Sequence, residues 1–383
     1  MQAPGGRSHE VVVVGGGIVG LACAWRIAQS GVRVVVLERH EPGGGASGVA
    51  AGMLAPVTEA EFGEEALLRL NLEGAAAWPA FAAELAERTG IDLEFRASGA
   101  LAAAADRDDV GELRRLYELR KGLGLETEWL TGRECRRLEP GLSPRVSGGM
   151  LAPGDGHVDP RAVTAALCEA IRREGGEIRS GVEVDAIEES GGAVTGVRAG
   201  GELISARTVV AAAGAWTARL GAGAPPVRPV KGQILRLRGT AGDQLASRII
   251  RTPRCYVVQR PGGEIVVGAT VEEHGFDVTV TAGAVHRLLE AAWEVLPDTE
   301  ERELVEARAA LRPGTPDNRP IVGPAPMPGL VWATGHYRNG VLLAPITGAA
   351  VARIAVGDDP PREFAPFSPT RLERGERLAG SPA

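Results

Sequence analysis

Residues 11–20 read VVVVGGGIVG, four β-branched residues running directly into Gly15, Gly16, Gly17 and Gly20. A short continuous run of this kind is a buried strand, and the apolar segment from 17 to about 30 carries helical period. RVVVL at 33–37 is a second strand ending at Glu38. Strand, glycine turn, helix and strand make a βαβ unit, and the glycines have the spacing GxGxxG. In such a unit Gly15 makes the tight turn, Gly17 lets backbone approach a pyrophosphate, and Gly20 lets the helix close onto the strand. The phosphates rest on the helix N-terminus, and Glu38 is spaced to accept hydrogen bonds from a ribose hydroxyl. GxGxxG alone is a weak signal in a chain with 53 glycines; with strand, helix and carboxylate in place it predicts a dinucleotide site. Glu38 argues against a ribose 2′-phosphate, although Arg39 beside it keeps that point open.

Composition bounds the rest. Of 383 residues, 44% are apolar and 24% charged, enough interior for one large domain or two. A formal charge of -7 argues against nucleic acid as a partner. Cys23, Cys135, Cys168 and Cys255 lack metal or disulfide spacing, which fits a reducing cytoplasm, and no metal site is expected. The N-terminus has no signal-peptide pattern. The most apolar helical segment, 340–356, contains Pro345 and Arg353 and reads as a buried helix rather than a membrane span.

Further helices are predicted over 64–89, 107–122, 159–176 and 281–296. Strands are expected at 182–188, 193–199, 202–205 and 208–214, the last returning to the first sheet. From 227 to 323 the pattern is mostly strand, the signature of a separate antiparallel sheet, and 330–354 is again strand, glycine turn and helix. The ends, roughly 1–8 and 366–383, read as disordered. The fold class is α/β with an α+β second domain. Residues 9–80, 145–225 and 324–365 are assigned to a discontinuous Rossmann-type nucleotide-binding domain. Residues 81–144 and 226–323 form an inserted antiparallel-sheet substrate domain. The small-residue loop at 41–56 can pass close to a bulky ligand, and the detour before TVVAAAGAW favours FAD over NAD.

VVVVGGGIVGLACAW, ASGVAAGMLAP, GHVDPR, TVVAAAGAW, RPVKGQIL, YVVQRPGGEIVVGATVEE, LRPGTPDNRPIVG and GHYRNGVLLAPITG together span about residues 10–355. On these segments the chain resembles the D-amino acid oxidase-like flavoproteins, and within them the glycine oxidases of thiamine biosynthesis. The resemblance implies oxidation of a small amino acid at its α-carbon, in which positioning is most of the catalysis. It implies that Arg312 holds the substrate carboxylate in a bidentate pair, that the Tyr256 hydroxyl also contacts it, and that Arg338 lies beside the flavin and reaches substrate through side chain or main chain. It implies cofactor contacts from Ile18 and Val19, from Glu38 and Arg39 at the adenosine ribose, and from Ala46 and Ser47 at the phosphates. Ala51, Gly52 and Met53 would follow along the flavin, with Val184 at adenine and Gly214 and Trp216 nearby. His336, Tyr337, Arg338, Asn339, Gly340, Val341 and Leu342 would close over the ring with a helix N-terminus. The FAD is expected to be non-covalent, because no cysteine lies beyond Cys255 to attach it.

The partners implied are a small amino acid and oxygen, with a homotetramer as the family's assembly. Lys231 is a candidate for favouring superoxide formation, against a structural or solvated reading. Val271 stands where many relatives carry a methionine and is expected to reshape the substrate pocket. Rival readings are a D-amino acid dehydrogenase, a sarcosine oxidase-like enzyme and a FAD-binding scaffold without turnover.

Overall fold

The computed structural model describes residues 9–372 apart from 222, 241 and 243. The expectations for 1–8 and 373–383 lie outside the described residues.

The strand His9–Val14 sits in the middle of the first sheet, between Val34–Glu38 and Glu202–Ala211, parallel to both. Leu330–Thr334 continues the sheet beyond Glu202–Ala211, and Glu177–Ser180 extends it beyond Val34–Glu38, again in parallel. The helices Ile18–Gln29, Pro160–Arg173 and Gly340–Val356 and the helix Glu65–Thr89 bury one face of this sheet, with Val11, Leu21, Trp25, Trp78 and Leu343 in one cluster. Both faces of a parallel sheet are covered, which is why these strands read as unbroken valine runs rather than alternating ones. The opposite face is covered partly by the strands Val184–Ser190 and Ala193–Ala199.

The second sheet has eight strands and is largely antiparallel. Glu303–Gly314 pairs with Arg228–Arg238, which pairs with Glu264–Gly268, then Tyr256–Gln259 and Ile249–Arg251. The helix Ala282–Val295 packs Leu288, Ala292 and Val295 into its core.

Four sequence expectations change. The strands expected at 202–205 and 208–214 are one, Glu202–Ala211, whose first half pairs in a hairpin with Ala193–Ala199 and whose second half enters the parallel sheet. Ala100–Ala104, an alanine-rich stretch, is a strand of the second sheet, as are Glu128–Thr131 and Gly148–Ala152. Gly148–Ala152, expected in the first domain, thus pairs by hydrogen bonding within the second sheet. Similarly, Phe81, Ala82 and Leu85, assigned to the second domain, lie in the first core because the helix Glu65–Thr89 runs on unbroken past residue 80. Finally, 366–372 is ordered: Phe367 is 1% exposed, and Arg371 donates to both carboxylate oxygens of Asp317.

Candidate functional site

One cavity of about 880 Å³ runs from the end of His9–Val14 to the inner surface of the second sheet. Its first end is built from backbone. Gly15 has φ +104°, and a Cβ there would lie 2.5 Å from the Ala212 carbonyl oxygen; a Cβ on Gly20 would lie 2.0 Å from the Gly15 oxygen. These two positions admit no side chain because strand and helix pack against them. Gly17 differs: a Cβ there would meet nothing closer than Ser47 Oγ at 3.4 Å. Its bareness serves the open cavity, as expected of the glycine over which a pyrophosphate passes. Gly20 stands off the cavity, so its part is packing rather than contact with the nucleotide.

Glu38 lines this end, its two oxygens accepting from Gly16 N at 2.7 Å and His40 N at 3.0 Å. Arg39 lays its guanidinium 3.6 Å from the centre of the Trp216 ring, a cation–π contact that fixes both beside Val184. Ser47 Oγ accepts from Ile18 N at 2.9 Å, tying the short helix Ala46–Val49 to the first helix. Ala46, Ala51, Gly52, Met53, Gly214 and Val19 continue the wall.

At the middle, the start of Gly340–Val356 faces the cavity with Asn339, Val341 and Leu342. Two helix N-termini thus meet the same space, and their free N–H groups favour negative charge there. His336 is buried, bonded to Thr347 Oγ1 at 3.1 Å, and burial pushes its pKa down to about 3, so it is neutral at physiological pH.

The far end is made of side chains. Arg312 Nη1 donates to Thr270 O at 3.0 Å and Lys231 O at 3.4 Å. Among the described residues no carboxylate lies within ion-pair distance of Arg312. Gly232 permits this placement, since a Cβ there would lie 2.3 Å from Arg312 Nη1, and Gly268 does the same for Tyr256 at 2.3 Å from its hydroxyl. Burial holds the Tyr256 pKa above its ordinary value, so the hydroxyl remains a donor. Arg338 lies at the cavity wall but is engaged by Glu61 Oε1 at 3.0 Å and Glu59 at 3.9 Å. Glu59 also lines the cavity and escapes a reading of the sequence, where it is one acidic residue in an unpatterned loop.

Two further sequence candidates, besides Gly20, fall away from the cavity. Lys231 is 1% exposed, with Nζ 2.6 Å from Asp277 Oδ2 and 3.9 Å from Glu272 Oε2, a paired ion outside the lining. Val271 is 62% exposed and does not shape the pocket; Phe276 and Val278 of the same loop line it instead. None of the four cysteines lines the cavity. Among the described residues no helix is long and apolar enough to cross a membrane, and no group of metal-binding side chains occurs.

A long cavity with a bare glycine at its floor, two helix N-termini and a ribose-spaced carboxylate fits FAD. Residues 10–354 match the family model described as FAD dependent oxidoreductase. The chain is 38% identical to a glycine oxidase of Geobacillus kaustophilus, over 95% of this chain and 97% of that one. The solved structure of the enzyme from that organism superposes with a TM-score of 0.90 at 36% identity, covering 97% of this chain and 100% of the other. Similarity extends to the hydrogen cyanide synthase subunit HcnC of Pseudomonas aeruginosa, 30% identical over 96% of this chain and 97% of that one. A bifunctional ThiO/ThiG protein of Trichormus variabilis is 34% identical over 91% of this chain, which spans 53% of that longer protein.

Proposed function

Because the chain belongs to the FAD-dependent oxidoreductase family, we propose that it oxidises glycine and other small amines or D-amino acids. FAD, when bound, would supply a two-electron acceptor for the hydride of the substrate α-carbon, with oxygen as the final acceptor giving hydrogen peroxide. The imine hydrolyses to the oxo acid and ammonia, and with glycine the imine or glyoxylate feeds thiazole formation in thiamine biosynthesis.

The observation that carries the reading is Arg312, a guanidinium without an acidic partner within ion-pair distance on the wall of a dinucleotide cavity. A half-buried cation on a cavity wall is best satisfied by an anion that enters the cavity. The substrate carboxylate is that anion, held by the guanidinium fork. The Tyr256 hydroxyl, kept protonated by burial, donates to the same carboxylate. Two anchors on one group fix rotation as well as position, so the α-hydrogen is aimed along the cavity toward the middle segment 336–342. Arg338 closes that side, with its main chain available to the amine. Glu38, Gly17, Ser47 and Arg39 hold the nucleotide end. No acid or base is required if the amine arrives neutral, which is consistent with the neutral, buried His336. Four unpaired cysteines support a cytoplasmic location, and a homotetramer is the assembly that sedimentation would test.

The test is a peroxide assay of purified flavoprotein over glycine, sarcosine, D-alanine, D-proline and L-alanine. Peroxide from glycine supports the reading. Dye reduction without peroxide would move it to a dehydrogenase, and no turnover of any amine would refute it.

A further inference from the structure

The segment Val57–Ala60 crosses the substrate end of the cavity and is pinned from two sides. Asp155, fully buried, accepts from Val57 N at 3.1 Å, Thr58 N at 3.0 Å and Thr58 Oγ1 at 2.6 Å. Arg120, also buried, donates through Nη2 to Thr58 O at 2.7 Å and Ala60 O at 3.1 Å. Both anchors come from segments distant in the chain, and the residue fixed between them is Glu59.

Glu59 is 12% exposed and doubly engaged. Arg251 bonds directly to it, and Arg338 Nε lies 3.9 Å away. Burial opposes its ionisation, but Arg251, Arg338 and Arg312 outweigh that and hold its pKa below the ordinary carboxylate value. Arg338 continues to Glu61 at 3.0 Å. Arg251, Glu59, Arg338 and Glu61 thus form a chain of alternating sign whose charges cancel. Glu64 stands near but is held toward its neutral form by burial and accepts from Asn318 Nδ2. Asp155 and Arg120 lie behind the loop and offset one another. Arg312 is left over.

We infer that Glu59 determines specificity: by pairing with Arg251 and Arg338, with Glu61 completing the charge balance, it leaves Arg312 as the cation of the substrate end without a carboxylate at ion-pair distance, so the pocket takes amines with one carboxylate and rejects those with a second anionic group. The inference rests on the amine oxidase reading above. A second carboxylate would find its possible cations already paired and would meet the charge of Glu59 at close range. In a poorly screened cavity one unit charge a few ångströms away changes affinity by about tenfold or more.

The experiment uses the FAD-loaded protein with two non-reacting probes that differ by one carboxylate, glycolate and tartronate, and reads dissociation constants from perturbation of the flavin spectrum. Wild type favours glycolate. Glu59→Gln keeps size and hydrogen bonding while removing charge, and is expected to shift the ratio toward tartronate by about tenfold or more. Arg251→Gln, an independent variant, is expected to move the ratio further against tartronate. A ratio unmoved in either folded, yellow variant overturns the inference. If wild type binds glycolate and oxidises glycine while the ratio stays fixed, only this inference falls; if wild type does neither, the reading beneath falls with it.

Discussion

The nucleotide end of the cavity is built from backbone, and the substrate end from charged side chains. At the first, Gly15, Gly17 and Gly20 act by lacking side chains, and the ligand-facing groups are N–H donors at helix starts. At the second, Arg312, Tyr256, Glu59 and Arg338 come from four separate stretches of chain, two of them strands of the second sheet and two of them loops. Where backbone packs against the glycines, as at Gly15 and Gly20, an added atom is not tolerated; the side-chain site tolerates mutation structurally but loses function sharply. The two ends should therefore fail in different ways.

The largest effect is expected from Gly15→Val. Its φ of +104° and the Ala212 oxygen, 2.5 Å from where a Cβ would sit, leave no room to yield, since both partners are backbone. A loss on the order of 3 kcal/mol or more, with little flavin retained, should appear in denaturant melts. A variant as stable as wild type would break the account of the nucleotide end. Next comes Arg312→Lys, which keeps charge but loses the fork. The value of kcat/KM for glycine should fall by about 10²–10³ while the flavin spectrum and melting temperature stay near wild type. Loss of yellow colour with unchanged turnover would mean the two ends had been assigned the wrong way round.

A pH experiment separates the ends again. His336 has its pKa depressed from 6.5 to about 3 by burial, so the stability it permits is fully present above about 6.5 and is lost as pH falls toward 3. Between pH 7 and pH 5 wild type should lose about 2 kcal/mol more than His336→Gln, which keeps a hydrogen bond for Thr347 without titrating. Parallel pH profiles from chemical denaturation would contradict this. The smallest effect is expected from Gly17→Ala, whose methyl meets only Ser47 Oγ at 3.4 Å. Stability should change by under about 1 kcal/mol, while FAD affinity, read from flavin fluorescence, falls about tenfold. Unchanged affinity would show that no phosphate passes over that residue.

The same contrast explains what is legible in the sequence. GxGxxG, Glu38 and the valine strands are local patterns set by one turn and one buried sheet, and the structure places them at one end of the cavity. The Glu202–Ala211 strand reads as two because its first half alternates in a hairpin and its second is buried on both faces. Ala100–Ala104 carries no β-branched residue, so only its pairing with Ile249–Arg251 and Gly148–Ala152 makes it a strand. Glu59 has no signal of its own, because its meaning lies in Asp155 and Arg120 behind it. Gly232 and Gly268 are likewise invisible: each is bare to make room for a side chain on a neighbouring strand, a relation that spacing along the chain does not encode. Val271 is drawn toward the pocket by family resemblance and Lys231 by its charge, whereas the loop brings Phe276 and Val278 to the cavity wall instead.

The central claim is that the Arg312 guanidinium receives the substrate carboxylate at the end of the cavity facing the flavin. A crystal structure of the FAD-bound protein with glycolate tests it most directly. The account predicts two guanidinium N–H groups and the Tyr256 hydroxyl on the glycolate carboxylate at about 2.7–3.0 Å. Glycolate bound elsewhere, with Arg312 still turned to the carbonyl oxygens of Lys231 and Thr270, would contradict it.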